Sequence, residues 1–369
     1  MTILYTDSFD HYGTTNNNLL HRWDSIMDTY TKLGASTGRT GGTCLRMYDT
    51  TSPIYNASAV KYLPNGLGGV GQDALFLGAS IQKVTSTFLS GTGTNWRPLM
   101  GFCNFEHVST QSSSEAFNDS SLTAITVAIA SDWSLVLRRN STILATGSST
   151  ILADGLWHRI EMKVSNVSHD VGQVEVRIDG VADIVFTGDL LDGGPATLHS
   201  GLVRAQNCNL DDVLIWTSGG TSFNNFIGDI VIDTLRPNGV GATTQSTPLS
   251  GAAWAAVDDA TLDAHTTYTA INTAGLKDTY AYSNMTVTPA VIHGVVVSTQ
   301  AQSPGMTPRK LKAIARLGTT EVDGAEKTVL LNMGNGYGLS QEVYAAKPGG
   351  GAWTRADIDA AEFGWKVTQ

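Results

Sequence analysis

The sequence predicts an all-β protein made of two antiparallel β-sandwich (jelly-roll) domains. Apolar residues recur with period two in many short runs, and those runs are separated by stretches rich in Gly, Ser, Thr and Asn. Only 15% of the 369 residues are charged, which is poor material for long solvent-facing helices. No amphipathic helical pattern lies between the runs, so they read as sandwich strands and not as a βαβ sheet.

The pattern is clearest over residues 154–216. After Asp154-Gly155-Leu156-Trp157-His158, the apolar Ile160, Met162 and Val164 alternate with Arg159, Glu161 and Lys163. A polar connection over 165–172 leads to Val174, Val176 and Ile178, which alternate with Glu175 and Arg177. Asp179-Gly180 predicts a two-residue turn, since Gly accepts positive φ without a Cβ penalty. The returning residues 181–186 offer two inward sets, Val181/Val185 or Ile184/Phe186. Register favours the first and side-chain bulk the second, so a bulge is expected there. Residues 210–216 close the stretch as a last apolar strand.

Taken from the start, residues 1–12 read as a first strand, followed by a helical turn near 18–23 carrying Leu19, Leu20 and Trp23. A glycine-rich turn over 34–42 enters a strand at 44–48, with another at 59–63. The glycine-rich loop at 64–71 lacks the Lys-Ser/Thr and the strand-to-helix setting of a phosphate cradle. Strands follow at 75–81, 96–105 and 125–129, then a hairpin of 133–138 with 142–145 around Arg139-Asn140-Ser141. A composition shift places the domains at 1–217 and 226–369, joined by a linker over 218–225. Residues 226–233 are expected to start this second β-rich unit, with strands at 290–297, 309–317, 329–332 and 342–345. Thr354 and Asp357 form a capping-box pattern for a short helix through about Ala361, before a final strand at 363–367.

A formal charge of −10 argues against a nucleic-acid-coating role, which needs clustered cations. Cys44, Cys103 and Cys208 cannot all pair with one another and show no CxxC spacing. Buried reduced thiols and folding in a reducing compartment are expected. Five N-x-S/T sequons, beginning at Asn56, Asn118, Asn140, Asn166 and Asn284, read as chance in a chain of this composition. Residues 1–12 lack a signal-peptide pattern, and no apolar run approaches the roughly 20 residues needed to span a bilayer. The chain is expected to be soluble when made, with no membrane insertion.

Asp154 to His158, then 174–180, then 210–216 resemble the second half of a laminin G-like (concanavalin A-like) domain. Asp7-Ser8-Phe9-Asp10-His11-Tyr12 with Trp23 and residues 34–46 are similar to its first strands, so the resemblance covers 1–217. A second resemblance spans nearly the whole chain. It is carried by Phe226-Ile227-Gly228-Asp229, Asp233, Pro237-Asn238-Gly239, Trp254, Val257-Asp258-Asp259, Tyr268, Lys277-Asp278-Thr279-Tyr280, Ile292-His293-Gly294-Val295, Trp353-Thr354 and Glu362-Phe363-Gly364. In this order they resemble tailed-bacteriophage virion proteins with an N-terminal laminin G-like sandwich. That resemblance implies a structural or adhesion component of a virion, made in the bacterial host cytoplasm. Its partners would be other virion proteins, its own copies (a trimer) and host-surface glycan. It supplies no catalytic residues, and no enzyme is expected. A stand-alone carbohydrate-binding module and, behind it, a glycoside hydrolase are the alternative readings.

No residue set is assigned as catalytic, cofactor-binding or metal-ligating, and no binding residue is named. Glu321, Asp323 and Glu326 fit the Glu-x-Asp-x-x-Glu spacing of jelly-roll glucanases. Asp323-Gly324 reads as a hairpin turn that would splay these carboxylates at an exposed tip. Glu175 and Asp179 read as partners of Arg159 and Lys163 in a cross-strand charge ladder, and His158 as a structural residue. Calcium is the ion the laminin G resemblance allows, at Asp211-Asp212 or in the Asn/Asp-rich loops. Arg309, Lys310, Lys312 and Arg316 alternate with Leu311, Ala313 and Ala315 and read as the wet face of a strand.

Overall fold

The computed structural model describes residues 2–12, 19, 22–27, 31–34, 38–47, 58–67, 71–84, 96–104, 123–204, 208–219, 224–261, 263, 265–303, 309–329 and 337–369. By contact the chain forms two compact units, Met1–Ile232 and Asp233–Gln369. Both are antiparallel β, as the composition predicts.

In the first unit one sheet holds β1 (Thr2–Asp7), β3 (Thr31–Gly34), β4 (Cys44–Met47), β6 (Leu75–Lys83), β11 (Trp157–Ser165), β12 (Gly172–Ile178), β13 (Val181–Gly188) and β15 (Cys208–Thr217). The other holds β2 (Ser25–Met27), β5 (Ser58–Leu67), β7 (Trp96–Cys103), β8 (Ala124–Ala130), β9 (Leu135–Arg139), β10 (Thr142–Thr146) and β14 (Leu198–Val203). Their orders are β13-β12-β11-β6-β15-β4-β3, with β1 also beside β15, and β10-β9-β8-β7-β14-β5-β2. The alternation read over 160–178 is realised. Ile160, Met162, Val164, Val174, Val176 and Ile178 are buried on one face, and Glu161, Lys163, Glu175 and Arg177 share the other. The expected bulge falls where Val176 pairs with Ile184 and Arg177 with Ala182. Burial goes with bulk: Ile184 is inside, while Val181 and Val185 are 72% and 71% exposed. Strand β5 extends through Leu67, into the stretch read as a loop, and β14 is a strand that the sequence patterns did not reveal. Cys44, Cys103 and Cys208 are buried and not joined in disulfides. The sequons at Asn56 and Asn118 lie outside the described residues.

Residues 226–232, expected to open the second domain, pair with no strand and pack over the first unit. The second unit therefore starts at Asp233 and not at 226. Its main sheet runs β16 (Pro237–Thr244), β19 (Lys277–Tyr282), β25 (Glu362–Val367), β21 (Arg309–Leu317), β22 (Thr320–Asp323), with β23 (Lys327–Val329) also on β21. A ribbon of β20 (Val295–Ala301) and β24 (Gly338–Tyr344) packs on that sheet, and β17 (Thr247–Pro248) pairs with β18 (Thr269–Ala270). Val297 and Tyr344 of the ribbon meet Ala313, Ala315 and Phe363 of the sheet, with Trp353 and Ile358 between them. Ile358 belongs to α1 (Arg355–Ala360), whose capping box forms in both directions between Thr354 and Asp357, as predicted. Among the described residues no helix is long and apolar enough to cross a membrane.

One buried carboxylate organises the start of the chain. Asp7 accepts the phenols of Tyr5 (3.0 Å) and Tyr12, the Trp23 indole N–H (2.8 Å) and the Phe9 N–H (2.9 Å), with the Arg22 guanidinium at 3.7 Å. All of these side chains are buried, so the carboxylate exchanges water for a full set of donors. Trp23 is delivered there by the single turn read from the sequence, its N–H bonded to the Leu19 carbonyl at 2.8 Å. Asp7→Ala should leave Arg22, two phenols and an indole without their acceptor. We expect a loss of about 3–5 kcal/mol from the first unit, read as an earlier tryptophan-fluorescence transition in urea. An unchanged transition would refute the role given to Asp7.

Candidate functional site

The outer face of the β6–β11–β15 sheet carries charge that is unusually deep. β15 bulges between Asp211 and Leu214 and holds Asp212 at φ 51. Arg159, fully buried, donates Nη1–H to the Asp212 carbonyl at 2.6 Å. Its guanidinium fits because β6 has glycine opposite: a Cβ on Gly78 would lie 2.3 Å from Nη2. Residues 225–232 close over this face. Phe226 packs edge-on against Phe76 (5.5 Å between centroids), which itself stacks on Trp216 (5.0 Å), while the Arg177 guanidinium lies 4.1 Å from the Phe226 ring. The Ile227 and Gly228 N–H groups both donate to Glu161 at 3.0 Å, and the Ile232 N–H donates to Asp212 at 2.8 Å. Arg39 adds bonds to the Ile230 carbonyl (2.8 Å) and the Asp229 carboxylate (2.6 Å).

This geometry revises two expectations. Lys163 does stand opposite Glu175, which Arg177 of its own strand also bonds at 2.7 Å, but Arg159 turns into the Asp212 network instead of facing Asp179. Asp179, at the predicted turn, accepts the Arg159 N–H and the His158 ring Nδ1 (2.7 Å), while the other ring nitrogen reaches Asp154 at 3.0 Å. Burial alone would lower the His158 pKa, but these two carboxylates outweigh it and raise it. His158 thus clamps the 154–158 loop to the 179–180 turn, the structural part expected of it. Asp211 and Asp212 are not laid out for calcium. Asp211 accepts the Arg39 and Asp212 N–H groups at 2.8 Å, and burial together with the neighbouring Asp212 charge pushes its pKa up to about 8. No metal-ligating cluster occurs among the described residues.

In the second unit the hairpin turn falls at Gly318-Thr319, not at Asp323-Gly324. β21 is long enough to pair with both 320–323 and 327–329, so Asp323-Gly324 lies within the returning chain and Gly324 N–H donates to Ala313. Glu321 and Asp323 therefore lie on β22 and Glu326 in the irregular stretch before β23, not along one strand as in the glucanase pattern, and each has a cation. Lys277 reaches Glu321 at 2.5 Å, Lys366 reaches Asp323 at 3.3 Å and Lys310 reaches Glu326 at 2.9 Å. Lys277, Lys366 and Lys312 are direct cross-strand neighbours, a repulsive row that these carboxylates neutralise. A hydrolase acid needs a raised pKa. The pKa of Glu326 is instead lowered, first by its hydrogen bond to Lys310. Arg316 pairs with Glu362 at 2.7 Å, so the basic cluster on β21 is the partly wet, ion-paired face read from sequence.

A further set of residues was not singled out in the sequence. On the outer face of the other sheet, Thr126 pairs directly with Arg138 and, across β7, with Gly101. Arg138 is 1% exposed and stacks 3.1 Å from the centre of the Trp96 ring. Its Nη2 donates to the Ser141 carbonyl at 2.7 Å, whereas Nε, Nη1 and the Thr126 hydroxyl have no hydrogen-bond partner. Burial lowers the pKa of Arg138 to about 10 and that of Arg204, buried just beyond β14, to about 9. Both stay charged at neutral pH. The only local signal was an arginine ending the apolar run Leu135-Val136-Leu137 in a cation-poor chain.

No family profile and no curated protein matches the sequence. Solved structures align with about three-fifths of the chain. An endo-β-1,4-glucuronan lyase from the fungus Trichoderma reesei is 12% identical over 58% of this chain and 95% of its own, with TM-score 0.35. A PL-14 alginate lyase from Aplysia kurodai is 13% identical over 59% and 100%, with TM-score 0.39. Lectin UEA-II complexed with galactose is 13% identical over 58% and 99%, with TM-score 0.37. These matches correct one expectation. Polysaccharide lyases stand among them, so the exclusion of enzymatic activity drawn from the sequence does not hold.

The Asp211–Asp212 pair makes a pH prediction. The folded protein keeps a proton that an unfolded aspartate, with its ordinary pKa near 4, releases. Its stabilising contribution is complete below that value and is lost as pH rises through about 8. The first-unit unfolding midpoint should therefore fall between pH 5 and pH 8, and Asp211→Asn should flatten that slope. A parent-like slope in Asp211→Asn would rule out the pair as its source.

Proposed function

We propose that this protein is a structural and adhesion component of a tailed-phage virion, in which the first unit contacts host-surface glycan. The observation that carries the reading is what the virion-like motifs do in the fold: they are framework. Phe226-Ile227-Gly228-Asp229 supplies the ring, the two N–H groups and the carboxylate that seal the outer face of the first sandwich. In the second unit, Asp233 accepts the Thr286 N–H and hydroxyl at 2.8 Å. Asp278, fully buried, accepts the N–H groups of Gln245 and Ser246 and the phenol of Tyr280. Trp353 bonds the Tyr344 carbonyl at 2.8 Å, and Glu362 gathers Ala242, Thr279 and Arg316. Motifs that specify a scaffold suit a protein whose task is to be built into a particle.

The second unit serves as the anchor and the first as the outward head. Copies of the chain associate, most simply as a trimer. Exposed apolar side chains on edge strands, Val181 and Val185 on β13 and Val240 on β16, support association, because few charges guard those edges. Antibody to the full chain should label purified particles of the phage that encodes it. Pre-incubating host cells with the purified chain should slow adsorption of those particles several-fold. Particles lacking the chain would sink the virion assignment, whereas unchanged adsorption would remove the head's role in host contact and leave an architectural part.

A further inference from the structure

We infer that His158, Asp154 and Asp179 form a proton-operated latch on the first unit, closed while the imidazole is positively charged and open on its Asp154 side once the ring is neutral. The latch operates whatever the first unit binds, so it stands apart from the glycan reading above.

Both ring nitrogens of His158 face carboxylate oxygens, Nδ1 at 2.7 Å from Asp179 and Nε2 at 3.0 Å from Asp154. A carboxylate only accepts, and a neutral imidazole has a single N–H to give. The imidazolium alone satisfies both contacts. Removing its proton leaves one of them as a lone pair facing a lone pair. The Asp154 arm is the one to go, because Asp179 is nearer and its other oxygen is held by the Arg159 N–H at 2.8 Å. The Asp154 side chain is also 38% exposed, so water can replace the imidazole there.

The charges around the ring set the direction of the switch. The two carboxylates touch it, whereas the cations of the adjoining strands are engaged elsewhere. Lys83 of β6 donates to the Ala153 carbonyl at 3.0 Å and lies over the Trp133 ring, and the Arg159 guanidinium points to Asp212. Burial would lower the His158 pKa, but Asp179 and Asp154 outweigh it and raise it. The pKa of Asp154 falls in turn, first through the Leu156 N–H and then through His158. A histidine whose folded value lies above the unfolded one, near 6.5, stabilises the fold fully below that value. The contribution is lost as pH rises through the raised folded value, so the latch closes on the acid side and opens on the alkaline side.

Two separate segments are joined by this contact. One is the connection that carries the chain from β10 on one sheet to β11 on the other, through a single 3-10 turn at Ile151–Asp154. The other is the turn between β12 and β13. Further ties hold the connection down: Leu152 is buried, Lys83 holds the Ala153 carbonyl, and Gln82 donates to the Gly155 carbonyl at 3.1 Å. Opening is therefore local, a loosening near 154–157 with the sandwich intact. Each latched segment carries an exposed apolar side chain, Leu156 at 64% and Val181 at 72%, so the proton sets how rigidly these two are presented.

The test follows the full chain from pH 5 to pH 9 by proton NMR of the His158 ring and by hydrogen exchange of residues 150–158, corrected for the intrinsic pH dependence of exchange. The ring should titrate above 6.5. Through that titration the protection of 150–158 should fall about ten-fold, the size of one lost charge-assisted hydrogen bond, while that of β12 stays level. Asp154→Asn should lower the titration midpoint and shrink the step, since an amide puts no net charge beside the ring. His158→Gln should abolish the step. Asp211→Asn should leave it in place, which separates the latch from the Asp211–Asp212 pair. A ring that titrates at or below 6.5, or protection that stays constant through its titration, would overturn the latch and leave His158 a fixed clamp. Where His158→Gln does not fold, Asp154→Asn decides: an unchanged midpoint and an unchanged step reject the proposal.

Discussion

The first unit depends on how its main sheet disposes of buried charge. Glu161 and Asp212 lie on a face with almost no water, where an unpaired carboxylate would be prohibitive. The chain answers with its own backbone: the N–H groups of Ile227, Gly228 and Ile232 are the donors these carboxylates need. Residues 225–232 are therefore part of the sandwich and not a tether beyond it. Phe226 makes the same point apolarly, since its ring completes the stack begun by Phe76 and Trp216. Removing this segment would expose two aromatic faces and strand two carboxylates at once, and that coupling is why the boundary falls after Ile232.

Each unit also has one aspartate that works as an internal staple. Asp7 in the first and Asp278 in the second are short, fully buried and surrounded by hydroxyl and N–H donors. A short acceptor that gathers several donors ties distant segments with little side-chain entropy to lose. The second unit handles its remaining charge differently, at partial exposure. The Lys277, Lys366 and Lys312 row is matched by Glu321 and Asp323 with side chains about a quarter to a third exposed. Each such pair is worth only about 0.2–1 kcal/mol, but without the acids the lysine row would repel itself.

Two buried arginines of the first unit share one pattern. Arg159 and Arg138 each donate one guanidinium nitrogen to a carbonyl and keep two others without an acceptor. The stack on Trp96 and the bond to Ser141 keep the Arg138 guanidinium from swinging out to water.

Some of this was legible in the residues. The inward and outward sets over 160–178, the Asp179-Gly180 turn with both residues at positive φ, the Thr354–Asp357 capping box and the wet face of β21 all follow from relations among residues two or three apart. Such relations are properties of the local backbone, so the sequence alone determined them. Tertiary structure decided the rest, because the deciding partner lay far along the chain. Packing chose Ile184 over Val181 and Val185, since only a bulge lets the larger side chain reach the core. Asp323-Gly324 had the form of the turn after β21, but pairing length placed the turn at Gly318-Thr319. Residues 226–232 read as the start of the second domain, but Glu161 and Asp212, distant in sequence, claimed their N–H groups for the first. Arg138 ended an apolar run with nothing to single it out; only tertiary packing buries it and stacks its guanidinium on Trp96, two strands away in the sheet.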